Sequence, residues 1–331
     1  MRLVDRVAQV RTPFIAACTS TGVQTRLSGA SDYADEVASC PIRYVLSDDL
    51  TRLCAALAYS KGAQTLCCDD LLRVPAERVW VEWAYAPWRN ELDLYGFPHA
   101  RASDNFGNIG RRGAMLTASR DGRCGQVKTF WSTGESEFEV CASSMLANFD
   151  FDAPAGHNDS SSLFFRRLRV TNGPNKDSAL QRCFEFEFEK SWANYYERAN
   201  LNEAVREDIV RHSISTIALD IPLLLTLFLL LNTRSGLPQK QSQLDRLNNS
   251  RIRAGKAPLL DHIEVLAPFP SKQVFSRGDS SPSGRRRPRL HHVRGHLVRH
   301  QNELFWRMPH LRGNANAGTL KTRTVTWALG H

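Results

Sequence analysis

No C-x-x-C pair occurs among the eight cysteines of this 331-residue chain, and Cys67-Cys68 is merely vicinal. Without paired spacing a zinc ribbon is not expected. The N-terminal stretch MRLVDRVAQVRTPF carries charges every few residues and no apolar core of a signal peptide. No export is therefore expected, and the cysteines are read as reduced, mostly buried thiols of a cytoplasmic protein. A bilayer span is not expected either. The apolar segment ISTIALDIPLLLTLFLLLN has only eleven uncharged residues in a row, Ile221–Leu231, against the roughly twenty that a span requires. Asp220 and Pro222 interrupt it, so a buried core helix starting near Pro222 is predicted instead. There is no internal repeat, no G-x-S-x-G, no Walker A loop and no G-x-G-x-x-G. The glycines of Gly107-Asn108-Ile109-Gly110 and Arg111-Arg112-Gly113 read as a plain turn. No enzymatic activity and no cofactor are expected.

What is present is unevenly charged. The net charge is +9, and residues 277–331 hold eleven Arg or Lys against Asp279 and Glu303. The first 276 residues balance to zero, with 32 basic and 32 acidic side chains. A neutral body with a basic C-terminal region suits an electrostatic contact with nucleic acid or an acidic protein surface.

Periodicity predicts an α+β body over residues 1–231, with antiparallel strands covered by helices. Leu50, Leu53, Cys54 and Leu57 recur at helical spacing within 46–72, with Ser47 or Asp48 as cap. VPAERVWVEWAY alternates with period two and reads as a strand buried on both sides, with Trp80, Trp83 and later Trp131 as core. GAMLTAS and GQVKTFWS flank Asp121-Gly122 as a hairpin, and EFEVCASS offers another strand. SLFFRRLRV and QRCFEFEFEK form a second predicted pair, with Phe184, Phe186 and Phe188 inward and the glutamates between them outward. Helices follow from about 191 to 231. Residues 232–288 read as a polar and basic connecting region with one short strand in LLDHIEVLAPF. Residues 289–331 read as a small basic hairpin module, with HLVR and LFWRM flanking HQNE.

The chemistry concentrates at 285–300, RRRPRLHHVRGHLVRH, which contains no carboxylate. His292, His296 and His300 stand four apart, but Gly295 breaks a helix there and no acid or cysteine completes a metal site. No metal is expected. Arg285, Arg286, Arg287, Arg289, Arg294 and Arg299 could neutralise phosphates, with Trp306 as a stacking platform. An acidic protein surface would satisfy the same guanidinium groups.

Several blocks in order, over roughly residues 70–325, resemble a group of phage-encoded proteins. They are PAERVWVEW (75–83), RRGAML…DGRCGQVKTFW (111–131), LFLLLNTR (227–234), LNNSRIRAGKAPL (247–259) and RPRLHHVRGHLVRHQNELFWRMPHLRGNA (287–315). The last is the most specific, with Arg294-Gly295-His296 leading into an aromatic and basic strand. The characterised members are type V-A anti-CRISPR proteins. The resemblance implies a non-enzymatic phage protein in the cytoplasm of a bacterial host. Such a protein recognises the N-terminal segment of a type V CRISPR nuclease as it emerges from the ribosome, and lowers its production. It places partner contacts at Arg289, His292, Arg294, Gly295, His296, Arg299, Trp306 and Arg307. Arg285, Arg286 and Arg287 remain the nucleic-acid alternative, with a possible RNA contact and no membrane. Leu297 stands where the family usually has an aromatic, and His291-His292 precedes the triplet where arginine is common. Gly295 and His296 fit either architecture or binding.

Overall fold

The computed structural model describes residues 2–9, 14–17, 25–27, 31–58, 71–94, 109–133, 140–152, 162–168, 183–234, 236–268, 289–293, 295–300, 303–307, 310–312 and 314–319. The chain divides into two compact units, one of residues 1–232 with 236–267 and one of 233–235 with 268–331.

The larger unit is α+β. Its helices are α1 (Leu3–Gln9), α2 (Ser31–Ala38), α3 (Asp48–Ala58), α4 (Tyr85–Leu94), α5 (Lys190–Arg198), α6 (Glu203–Ala218), α7 (Ile221–Leu231) and α8 (Asp245–Arg253). Its strands are β1 (Phe14–Ala17), β2 (Thr25–Leu27), β3 (Ile42–Leu46), β4 (Arg78–Ala84), β5 (Ile109–Ala118), β6 (Cys124–Thr133), β7 (Val140–Ala142), β8 (Met145–Asp150), β9 (Phe184–Phe188), β10 (Gln239–Gln241) and β11 (Ile263–Val265). Together they form one mixed, mostly antiparallel sheet in the order β10-β11-β3-β4-β5-β6-β7-β1-β2. The long β6 gives one half of its edge to β7 and the other to β8, which carries β9. The parallel pairs β3–β4 and β3–β11 bring Tyr44 beside Val81 and Ile263.

β4 forms where period two meets bulky apolar residues, and Val79 to Trp83 are buried on both faces. Trp80, Trp83 and Trp131 are core residues. The β5–β6 hairpin turns at Gly122, whose φ of 74° is the left-handed conformation glycine tolerates. The stretch 109–113, read as a turn, is instead the start of β5. Its Gly113 is small for packing, since a Cβ there would lie 2.7 Å from the Trp80 ring.

Ser47 caps α3, its hydroxyl accepting from the Leu50 amide at 3.3 Å. Asn202 does the same for α6 through the Val205 amide at 3.0 Å. α7 begins at Ile221 with Pro222 in its first turn, and Leu223 through Leu230 are buried on every side. By length and composition alone the run Glu203–Leu231 could cross a bilayer, yet 61% of its most apolar window is packed inside the unit.

Three predicted details differ. SLFFRRLRV makes a short 3-10 turn at Leu163–Phe165 and a single bridge, Leu168 to Phe186, rather than a strand. The reason is aromatic packing: Phe164 stacks on Tyr196 at 5.0 Å and meets Phe188 edge-on at 5.5 Å. The acidic face of β9 is also not open. Glu185 is buried, and Arg167 lies over it at 3.7 Å and over Glu187 at 3.2 Å. The connecting region, lastly, joins the body as far as Ala267, because β11 pairs with β3 and β10 adds the edge. The expected helix over 46–72 is seen as α3, and 59–70 lie outside the described residues.

The sheet faces hold paired charges that no local pattern announces. Glu82 caps α1, its two carboxylate oxygens each accepting a backbone N–H, from Leu3 and Val4, at 2.9 Å, and it pairs with Arg111. Lys128 pairs with Glu189 and faces the Tyr33 ring at 5.0 Å. Burial pushes Glu189 up to about 8 and holds Lys128 well below its ordinary value. On the opposite face Arg112 bonds Asp220 at 2.6 Å and the Thr216 carbonyl at 2.9 Å, between the rings of Trp88 and Trp131.

Asp220 is 0% exposed, and burial raises it to about 6 although Arg112 pulls the other way. Because the folded state holds this proton more tightly than the unfolded chain, the associated stability is complete below about pH 3.8. It is lost as pH rises through about 6. Measured by urea unfolding, the stability difference between the native chain and Asp220→Asn is expected to fall by ~2.4 kcal/mol from pH 4 to pH 7. A pH-independent difference would show that Asp220 is ionised throughout.

Candidate protein-binding surface

The basic C-terminal unit is built from β-prone runs too short to form a core of their own. β12 (Arg289–Val293), β15 (His310–Arg312) and β16 (Asn314–Thr319) make a three-stranded sheet in the order β15-β12-β16. β13 (His296–His300) and β14 (Glu303–Arg307) form the hairpin that the alternation around HQNE predicts.

Register decides which side chains face out. His296 lies opposite Arg307, Val298 opposite Phe305 and His300 opposite Glu303, so these six share one face. On it His296, His300, Glu303 and Arg307 are exposed, and Val298 and Phe305 are half-buried between them. The other face carries Leu297, Leu304 and Trp306. Leu304 and Trp306 are buried, Trp306 at 8% exposure. Trp306 is thus a packing residue of the hairpin, turned away from the open face and not presented as a stacking platform.

Arg234 braces the strand. Its backbone N–H donates to the Leu304 carbonyl at 3.0 Å, its guanidinium meets Glu303 at 3.0 Å, and it lies 6.0 Å from the Phe305 ring centroid. Both charges of that pair are exposed, so the pair contributes at most about 1 kcal/mol. Its chief effect is to balance the charge of Glu303 and to place a guanidinium beside the Phe305 ring.

The proposed contact residues do not all meet. His296 and Arg307 face each other on the open side, while Arg299 is exposed opposite Leu304 at the hairpin end. Gly295 is half-buried immediately before β13. Arg289 and His292 belong to the other sheet, in register with Asn314 and Leu311 respectively. Arg294 and the arm Arg285, Arg286 and Arg287 lie outside the described residues. The helical i, i+4, i+8 arrangement of His292, His296 and His300 does not form, since they occupy two strands. On β13 the four-residue interval separates His296 from His300 by about 13 Å, too far for one metal ion. No group of three or more metal-ligating side chains comes together among the described residues.

The strongly perturbed charged groups Glu189, Lys128 and Asp220 are in the body, where they bond partners inside the core. Sequence reasoning missed these pairs. One signal existed: Asp220, a lone charge in an apolar run, required a buried partner. It also passed over α8, inside the polar stretch 238–258; this helix has no buried residue.

Comparison with protein-family models, curated proteins and solved structures returned no match.

Proposed function

We propose that the protein is a phage-encoded, non-enzymatic inhibitor of the anti-CRISPR kind, working in the cytoplasm of a bacterial host. It captures the N-terminal segment of a type V CRISPR nuclease, at or near the ribosome, and thereby lowers nuclease production. The observation that carries this reading is the open face of the β13–β14 hairpin. There a half-buried Val298–Phe305 pair is ringed by His296, His300, Glu303 and Arg307. An apolar centre with a polar, mixed-charge rim is suited to a short peptide, since it combines desolvated contact area with polar groups that select the partner. The block resembling anti-CRISPR proteins, Arg294-Gly295-His296 onward, supplies this hairpin.

The test is capture of a synthetic N-terminal nuclease peptide, and of stalled ribosomes displaying it, by the purified protein. Binding with a Kd of about 1 μM or tighter is expected. Equal retention of a scrambled peptide would end the reading.

A second reading, a nucleic-acid-binding phage accessory protein, is favoured by the +9 confined to residues 277–331. It predicts binding that weakens steeply with salt and is lost when Arg285, Arg286 and Arg287 are replaced by alanine.

A further inference from the structure

α8 is a helix with no buried residue, yet it is firmly attached along one side. Asn248 donates to the Leu259 carbonyl at 2.9 Å and accepts from the Leu259 amide at 2.7 Å. Arg251 Nε donates to the Ala257 carbonyl at 2.9 Å, and its own carbonyl receives the Lys256 amide at 2.9 Å. Gly255, at φ 67°, makes the reversal that allows this clamp. Leu260 is in turn tied to Asp5 of α1 at 2.7 Å. The helix and its return loop are therefore a braced projection of the body.

At 100° per residue, Asn248 and Arg251 fall on the attached side. Arg246, Asn249, Ser250 and Arg253 fall within an arc of about 100° on the opposite side. All four are exposed, and their side chains form no hydrogen bond or ion pair among the described residues. The two guanidinium groups stand one heptad apart, about 10.5 Å along the axis, with neutral Asn249 and Ser250 between them. Exposed Lys240 and Lys256 flank the helix, and Asp245 is the lone acid from 238 to 258 against five Arg or Lys. Leu247 and Ile252, 48% and 58% exposed, border the stripe and are the most exposed large hydrophobics among the described residues.

The geometry points to an RNA-binding face on α8, with Arg246 and Arg253 on backbone phosphates and Asn249 and Ser250 on ribose 2′-hydroxyls. Charge complementarity selects the phosphodiester backbone, because cations with no partner among the described residues lose only water when they meet it. RNA rather than DNA is selected by the pair between them. A 2′-hydroxyl both donates and accepts, as do the amide of Asn249 and the hydroxyl of Ser250. This face lies in the larger unit and is independent of the hairpin, so it stands or falls apart from the capture of a nuclease segment.

Fluorescence anisotropy with a labelled single-stranded RNA of about 20 nucleotides, against DNA of the same sequence, tests it between about 50 and 200 mM salt. Arg246→Ala/Arg253→Ala is expected to weaken RNA binding about tenfold and to reduce the log–log salt slope by about 1.4, two contacts at ~0.7 each. Asn249→Ala/Ser250→Ala is expected to remove the preference for RNA over DNA. Because the helix buries nothing, these variants keep the native circular dichroism spectrum. Unchanged RNA affinity in the arginine double variant would overturn the proposal, whether or not alanines at Arg285, Arg286 and Arg287 abolish binding. Equal affinity of the native chain for RNA and DNA would overturn the assignment to RNA.

Discussion

Replacing Arg112 with methionine is expected to destabilise the larger unit by about 3–5 kcal/mol at neutral pH, the usual cost of breaking a buried pair by removing one member. Arg112 holds Asp220 at 2.6 Å, where β5 meets the junction of α6 and α7. Without it Asp220 keeps no partner for either carboxylate oxygen among the described residues, because Oδ1 already has none. The carboxylate then escapes by taking up a proton. At pH 7 that costs about 1.4 kcal/mol for a group already raised to about 6, and the rest of the loss comes from the Thr216 bond and the Trp88 and Trp131 contacts that Arg112 makes. The gap to the native chain should accordingly narrow as pH is lowered to 5. Asp220→Leu leaves the opposite residue stranded, and arginine has no neutral form to retreat to. The double variant Arg112→Met/Asp220→Leu is expected to lie closer to the native stability than either single one, since two packed apolar side chains remove both desolvation costs. Urea unfolding of the four proteins closes this cycle. Additive losses would mean the pair is not coupled.

The second large effect concerns binding. His296→Ala/Arg307→Glu is expected to weaken capture of the nuclease peptide about 30-fold or more, the scale of losing an interface hot spot. These two side chains lie opposite each other and are exposed, so unfolding midpoints should stay nearly unchanged. Trp306→Ala on the other face should behave in the reverse manner. It removes a buried ring from the hairpin at a cost of about 3–5 kcal/mol, so it disturbs the fold of the C-terminal unit first and binding as a consequence. Isothermal titration with the peptide and thermal unfolding of each variant separate the two. Intact binding by the surface double variant would place the contact elsewhere.

Those contrasts show which parts of the molecule can be read from sequence. β4, β9 and the β5–β6 hairpin were legible because alternation and Asp121-Gly122 are local signals with a fixed physical origin. α7 was legible because eleven apolar residues headed by Pro222 have few other uses in a folded body. The edge β3-β11-β10 was not, since Tyr44 and Ile263 become neighbours only through contacts across more than two hundred residues. Nor were the charge pairs: Arg111 and Arg112 are adjacent in sequence, yet the strand turns one to Glu82 and the other to Asp220. At the candidate surface the sequence marked a hairpin around HQNE but counted Trp306 with Arg307 among the contacts, although the strand turns them to opposite faces. Only the register with β13 put His296 beside Arg307. α8 read as polar linker because its cations are legible as composition, while the clamp at Asn248 and Arg251 that gives them a common outward face is tertiary.

The central claim is that this chain grips a nuclease N-terminal segment through the open face of its C-terminal hairpin. The most direct measurement pairs ribosomes stalled with that segment exposed against ribosomes displaying an unrelated chain, each titrated with the native protein and with His296→Ala/Arg307→Glu. The account predicts retention of the native protein on the nuclease segment alone, and loss of that retention in the variant. Equal retention on both chains, or undiminished retention of the variant, would contradict it.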